Sequence, residues 1–131
     1  MIVDASMAVK WFVNEPESPE ARRVLATAAI LASPDLLMVE VASVLTRKCR
    51  QGMLGAPDVR DSMRDLAAIS IAWTPSRDLL GAALTLSLAE GHPCPDCLYL
   101  ALAQRTGVPL ATYDRALAAL AARLGVPLWK P

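Results

Sequence analysis

Long apolar runs are missing from this chain of 131 residues. The longest stretches without a charged residue, at 24–34, 66–76 and 79–89, fall well short of the roughly 18 residues that a membrane-spanning helix requires. Asp4 and Lys10 also interrupt the region where the apolar segment of a secretory signal would begin. We therefore expect neither a membrane span nor a secretory signal.

Cysteine, histidine and net charge are also scarce. Three cysteines, an odd number with no evident disulfide framework, favour a reducing cytoplasm. The 13 basic and 13 acidic residues cancel, so a nucleic-acid substrate would have to be attracted by local basic groups or metal ions. The sequence has no Gly-rich phosphate loop, no G-x-S-x-G motif and no histidine available for a catalytic triad.

What the chain does have is an apolar composition, with 54% hydrophobic residues. A chain of this length buries about two thirds of its unfolded surface, so we expect one domain over residues 1–131 without disulfides or a structural metal. Two explanations of the apolar surplus stay open. Either a partner or second copy covers it, or the core is rich in Ala and Leu.

Short apolar stretches alternate with helical patterns along the whole chain. This alternation predicts an α/β fold with a central, mostly parallel sheet and helices on both faces. In the helix that begins at Ser76, we expect the apolar residues to face inward, namely Leu80, Ala83, Leu84 and Leu88. The predicted strands are 2–3, 30–33, 69–74, 108–112 and 126–129, and the predicted helices include 5–13, 35–51 and 97–106.

Three aspartates stand at element ends. Asp4 follows the first strand, Asp114 follows the strand at 108–112, and Asp96 precedes a nearly all-apolar helix. In a parallel sheet, ligands collect beyond the carboxyl ends of the strands, so these acids are candidates for one shared site. The alternative for each is an ordinary helix cap, because Asp is favoured at that position.

Glu40 is harder to explain as a packing residue. On a helix, Leu36, Leu37 and Val44 are its neighbours three and four positions away. The carboxylate therefore lies on or near an apolar face, where an unpaired charge is costly. A salt bridge to a nearby Arg is the alternative.

Carboxylates gathered at one sheet edge would repel one another. Two unit charges about 4 Å apart interact by roughly 4 kcal/mol at an effective dielectric constant near 20. A cluster of them requires protonation or a cation, and hard divalent ions such as Mg²⁺ and Mn²⁺ prefer oxygen ligands. Such a site suits phosphodiester hydrolysis, in which the metal activates a water and neutralises the leaving oxygen.

Four acidic motifs, in this order, resemble those of PIN-domain ribonucleases, and in particular the VapC-like toxins of bacterial toxin–antitoxin pairs. They are MIVDAS at 1–6, MVEVASVL at 38–45, PDCLYLALA at 95–103 and LATYDRAL at 110–117. The resemblance spans essentially the whole chain. One departure is the context of Asp96 between Pro95 and Cys97, where small or aromatic neighbours are more usual, and it bears on loop geometry.

The resemblance implies a three-layer α/β/α sandwich and an endoribonuclease that depends on Mg²⁺ or Mn²⁺. It also implies a homodimer and a small cognate antitoxin that inserts into the active groove. Matched residue by residue, the acidic metal site and catalytic residues are Asp4, Glu40, Asp96 and Asp114, with supporting hydroxyls at Ser6 and Thr112.

Five basic residues are candidates for contact with RNA phosphates: Lys10, Arg47, Lys48, Arg50 and Arg115. The alternative for each is a solvated helix face.

Other functions remain open at this point. Cys94 and Cys97 form a C-x-x-C, which suits a redox dithiol or, together with Cys49 and His92, a zinc site. The same motif matches half of the zinc deaminase signature, but the H-x-E half is missing. Phosphoaspartyl hydrolases would require a second Asp where Ser6 stands. A catalytically silent module that binds antitoxin or RNA is the alternative from a different functional class.

Overall fold

The computed structural model describes residues 1–28 and 30–130. The central sheet has four strands in the order β3-β2-β1-β4, and the pairings between them are parallel. Leu128 forms a single parallel bridge to Leu110, so the predicted strand at 126–129 is reduced to one bridge. The strands are β1 (Ile2–Val3), β2 (Leu31–Pro34), β3 (Ile71–Thr74) and β4 (Leu110–Ala111).

The helices connect the strands and form the outer layers. They are α1 (Ala5–Val9), α2 (Ser18–Thr27), α3 (Leu36–Arg50), α4 (Ala56–Ala68), α5 (Ser76–Glu90), α6 (Cys94–Thr106) and α7 (Arg115–Arg123). The predicted alternation, the parallel sheet and the three-layer α/β/α sandwich are therefore confirmed. Within the ranges just given, no helix is long and apolar enough to cross a membrane.

The core lies around β1 and α6. Ile2 and Val3 are completely buried, and every residue from Cys97 to Ala103 is buried as well. A helix surrounded on all sides has no polar face, which explains why its sequence is apolar on every side. The helix predicted at 97–106 is confirmed, and it is buried as expected over 97–103, whereas residues 104–106 are exposed.

Helix α5 corrects one prediction. Ala83 is buried as expected, but Leu80, Leu84 and Leu88 are 51%, 49% and 78% exposed, and Leu79 is buried instead. Apolar residues occur on nearly every side of α5, so their spacing does not identify the side that packs against the sheet. The apolar surplus of the sequence is thus carried partly on an outer face.

Two helix boundaries also differ from the predicted ones. Helix α1 ends at Val9, and residues 10–13 continue as tight turns in which Lys10, Trp11 and Phe12 donate their N–H groups three residues back. Helix α6 begins at Cys94, so Asp96 lies inside its first turn. Pro95 suits that turn because its missing N–H would have no partner within the helix.

Candidate active site at the carboxyl ends of the strands

Asp4 is a buried acid that accepts three hydrogen bonds from the protein. It follows β1, is only 4% exposed and caps α1. Its Oδ1 accepts hydrogen bonds from Ser6 Oγ at 2.7 Å and from the Met7 N–H at 3.0 Å, and its Oδ2 accepts one from Thr112 Oγ1 at 2.5 Å. A carboxylate offers about four lone-pair positions, so one on Oδ2 remains for a ligand.

The two predicted supporting hydroxyls join β1 to β4. Ser6 Oγ also accepts a hydrogen bond from the Tyr113 N–H at 2.8 Å, and Thr112 Oγ1 accepts one from the Asp114 N–H at 3.0 Å. The two hydroxyl oxygens lie 3.1 Å apart. Since β1 and β4 are neighbours in the sheet, this network holds Asp4 and the start of α7 at one edge.

Asp114 lies beside Asp4 and caps α7. Its Oδ1 accepts a hydrogen bond from the Leu117 N–H at 2.9 Å. Burial raises the pKa of Asp4 to about 6, the hydrogen bonds from Thr112, Ser6 and Met7 oppose that rise, and the charge of Asp114 adds to it. Both residues are thus helix caps, as the simpler interpretation predicted, and they are also close enough to repel.

Glu40 meets a partner that the sequence analysis did not anticipate. Its Oε1 accepts a hydrogen bond from the Tyr99 hydroxyl at 2.5 Å. Burial raises the pKa of Glu40, the bond from Tyr99 lowers it, and the charge of Asp96 raises it again. Among residues 1–28 and 30–130, no Arg or Lys forms a salt bridge with Glu40, which argues against the salt-bridge interpretation.

The Tyr99 hydroxyl lies close enough to Glu40, Asp4 and Asp96 to be affected by the charge of each. Tyr99 is 1% exposed, and burial raises the pKa of its hydroxyl far above the usual range, as do the charges of Glu40, Asp4 and Asp96. The hydroxyl therefore remains protonated and available as a donor. The sequence did hold a signal for this role, because Tyr99 lies three residues after Asp96 on α6 and a buried phenol needs a partner.

Asp96 is paired locally, by the only histidine of the chain. Its Oδ2 lies 2.9 Å from His92 Nε2, across the start of α6. His92 is a second residue that the sequence analysis did not assign to the site. The signal was its position four residues before Asp96.

The acids share one edge of the sheet without forming a finished ligand set. Within the described part of the chain, no three Asp, Glu, His or Cys side chains stand close enough to hold an ion together. Each acid instead has an internal donor: Asp4 has hydroxyls, Glu40 has Tyr99, and Asp96 has His92. An all-carboxylate set in which burial raises the pKa of Asp4 and of Glu40 fits a hard divalent cation in its chemistry. Tyr99 and His92 each engage one oxygen of Glu40 and Asp96, which leaves the second oxygen of each carboxylate for such an ion.

The cysteines give no support to the competing interpretations. Cys94 and Cys97 are free thiols, and with Cys49 and His92 they form no metal cluster within the ranges that the structure covers. Burial raises the pKa of the Cys97 thiol, and the charges of Cys94, Asp96 and Glu90 add to this. A raised pKa is the opposite of what a reactive redox thiolate requires.

The basic candidates divide by location. Lys10, Arg47 and Lys48 line one cavity of about 350 Å³ beside Ser6 and Tyr113. Arg50 lines a separate cavity between α3 and α4, and Arg115 is exposed at the start of α7.

The chain belongs to the PIN-domain family, whose model matches residues 1–123. The resemblance carried by the four acidic motifs is therefore confirmed. Two curated relatives are VapC proteins: Ribonuclease VapC3 of Pyrobaculum aerophilum is 32% identical over 120 residues, covering 90% of this chain and 92% of the relative. Ribonuclease VapC46 of Mycobacterium tuberculosis is 34% identical over 134 aligned positions, covering 98% of this chain and 95% of the relative.

Solved structures agree on the fold. VapC20 of Mycobacterium tuberculosis, described as a toxin that cleaves the sarcin-ricin loop, superposes with a TM-score of 0.79 at 15% identity, covering 99% of this chain and 98% of that one. PAE2754 of Pyrobaculum aerophilum superposes with a TM-score of 0.72 at 22% identity, covering 91% of this chain and 77% of that one. At these identities the likeness concerns the fold alone.

Proposed function

We propose that this protein is a divalent-metal-dependent endoribonuclease and the toxin of a toxin–antitoxin pair. The observation that carries the proposal is Asp4, a buried carboxylate with a raised pKa, three internal donors and one free lone-pair position beside Asp114. Two relatives named as VapC ribonucleases, which align with at least 90% of the chain, support the same reaction.

In this proposal Asp4, Glu40, Asp96 and Asp114 hold Mg²⁺ or Mn²⁺ and are the catalytic residues. Such an ion activates a water and neutralises charge on the leaving oxygen. Ser6 and Thr112 orient Asp4 by donating to both of its oxygens. Tyr99 keeps Glu40 on the site side of α3, and His92 does the same for Asp96 at the start of α6.

The partners belong to the same proposal. We propose one PIN-like unit over residues 1–131 that acts in the cytoplasm on RNA, forms a homodimer and is inhibited by a small antitoxin. Exposed leucines on α5 give such protein partners an apolar surface to cover.

Cleavage by defined variants tests the proposed reaction. We expect purified protein, freed of any copurifying partner, to cleave RNA with Mg²⁺ or Mn²⁺ and to stop when a chelator is added. Asp4→Asn and Asp96→Asn should abolish cleavage while the melting curve remains cooperative, because each removes a ligand charge. Asp61→Asn, an exposed acid on α4, is the matched control and should cleave normally. Equal cleavage by all three variants would identify a contaminating nuclease.

One observation favours a second candidate, the silent binding module. The acids are held by internal donors and no three stand together within the described residues. A chain that binds RNA or antitoxin but cleaves nothing at any tested concentration of Mg²⁺ or Mn²⁺ would establish that alternative.

A further inference from the structure

A cavity adjoins the acidic site and shares two of its residues. It has a volume of about 350 Å³ and lies between α1, α3 and the segment that follows β4. Ser6 and Tyr113 line it, and the Tyr113 N–H donates to the same Ser6 hydroxyl that donates to Asp4. The cavity is therefore connected to Asp4 through the hydroxyl of Ser6.

The cavity concentrates positive charge in a chain whose net charge is zero. Lys10, Arg47 and Lys48 line it, against one acid, Glu15. The neighbouring site carries the opposite sign, with Asp4 and Asp114 at its edge. An RNA strand whose reacting phosphate lies at the acids would need its next phosphate on a positive surface, and this cavity is adjacent.

Glu15 bridges the two lysines. Its Oε2 lies 2.5 Å from Lys10 Nζ, and its Oε1 lies 3.2 Å from Lys48 Nζ. Lys10 Nζ also pairs with Glu17 at 3.0 Å and lies 5.1 Å from the centre of the Tyr113 ring. The side chains of Lys10 and Lys48 are only 12% and 17% exposed, so both ammonium groups are confined at the cavity.

The arrangement resembles the recognition of a phosphate. A carboxylate with one cation on each oxygen occupies the position that two oxygens of a phosphodiester would take between the same cations. An ammonium has three donors, and Glu15 and Glu17 use two on Lys10, while Glu15 uses one on Lys48. Donors therefore remain on both lysines.

We propose that this cavity is a phosphate-binding subsite for the RNA strand next to the scissile phosphodiester. Lys10, Arg47 and Lys48 contact a backbone phosphate, and Glu15 holds the two lysines in position and competes with RNA for them. The inference rests on the proposed ribonuclease function and adds the place where the flanking strand binds.

Removing a positive charge and removing a negative charge at this cavity should change the affinity for RNA in opposite directions. Binding of a short fluorescein-labelled single-stranded RNA to the full chain is measured by anisotropy, with chelator present so that nothing is cut. Lys48→Met and Lys10→Met should weaken binding and lower the slope of log affinity against log salt by about 0.7 for each lost phosphate contact. Glu15→Gln should strengthen binding and steepen that slope, because it frees Lys48 and leaves Lys10 paired with Glu17 alone.

Matched controls come from the exposed pair of Asp61 and Arg64 on α4, whose charges lie 3.2 Å apart. Arg64→Gln and Asp61→Asn make the same changes in net charge away from the cavity and should leave the slope unchanged. Melting curves establish that every variant is folded. The inference is overturned if the cavity variants shift binding no more than the controls, or if Glu15→Gln weakens binding as a purely structural contact would.

Cleavage by the wild-type preparation in Mn²⁺ separates this inference from the proposed function. If the wild-type protein cleaves RNA and the cavity variants bind RNA as well as the wild type does, the subsite is contradicted and the proposed nuclease function is not. The predicted changes in binding without any cleavage support the subsite and contradict the nuclease. Cavity variants that lose binding to the antitoxin while keeping RNA binding would overturn the subsite in favour of a protein contact.

Discussion

Tyr99 shows how one buried hydroxyl can decide the state of a carboxylate. Glu40 is partly buried on α3, and its only side-chain partner within the described residues is the Tyr99 hydroxyl. That hydrogen bond lowers the pKa of Glu40 against the effect of burial. Without it, Glu40 would keep the cost of burial and lose the donor that offsets it.

We therefore expect Tyr99→Phe to lower the free energy of unfolding by about 1–3 kcal/mol at pH 7.5. Because the Tyr99 hydroxyl lowers the pKa of Glu40, its removal raises that pKa further. The loss should therefore be smaller at pH 5, where the carboxyl is closer to neutral and needs the donor less. Urea denaturation at both pH values measures this. Tyr113→Phe is the matched control, because that hydroxyl contacts the exposed Glu17 carbonyl at 3.4 Å and the Glu20 side chain, neither of which belongs to the acidic site. A loss that is equal at both pH values would mean that packing, and not the carboxylate, explains the effect.

At the residue scale, part of the site could be predicted from the sequence and part could not. Asp4 and Asp114 follow strands that pair directly, so local pattern and parallel topology sufficed to place them together. The bond between Glu40 and Tyr99 joins residues 59 positions apart, and no local pattern encodes which buried phenol meets which acid. His92 was missed because its partner lies at a helix start that the sequence placed three residues too late.

At the scale of elements, an apolar pattern on every side of a helix predicted the position of one helix correctly and of another wrongly. Helix α6 is apolar on all sides and buried on all sides, so its apolar pattern led to the correct prediction. Helix α5 is nearly as apolar but is buried only along the stripe that includes Leu79 and Ala83. Composition alone does not distinguish a central helix from an outer helix with an apolar exposed face.

Two adjacent leucines on α5 test that assignment. Leu79→Ala should lower the free energy of unfolding by about 2–4 kcal/mol because it leaves a cavity in the core. Leu80→Ala should change it by less than about 1 kcal/mol, since Leu80 is 51% exposed. Denaturation at two protein concentrations measures both. A large loss from Leu80→Ala that depends on protein concentration would show that a second copy covers this face, and a large loss independent of concentration would contradict the assignment.

At the scale of the whole molecule, the strand order explains why remote acids meet. Placing β1 in the middle of β3-β2-β1-β4 puts Asp4 beside the end of β4, while α3 and α6 bring Glu40 and Asp96 to Tyr99. The fold brings like charges together, and their repulsion exists only in the folded state. The free energy of unfolding should therefore depend on whether these acids are ionised.

The sign follows from Asp4. Its pKa is about 6 in the folded chain and near the ordinary aspartate value of 3.8 when unfolded, so the folded state binds more protons between these values. The contribution of Asp4 to the free energy of unfolding is highest at low pH and falls as pH rises from about 4 through 6, by up to about 3 kcal/mol at 1.36 kcal/mol per pKa unit. Above the folded pKa the loss is complete and constant. Asp4→Asn should remove this contribution to the pH dependence of unfolding.

A divalent cation should reverse the loss only where Asp4 is ionised. An ion that binds the folded chain stabilises it by about 2.7 kcal/mol at 100 times its Kd, and below pH 6 it must displace a proton first. We expect Mn²⁺ to raise the melting temperature clearly at pH 7.5 and little at pH 5, and Asp4→Asn or Asp96→Asn to abolish the rise. Asp61→Asn should keep it, because that acid lies in an exposed pair on α4. A melting temperature that does not change with Mn²⁺ or Mg²⁺ at pH 7.5 would mean that the four acids share no cation, and the binding module would then be the better account of Asp4 with its three donors.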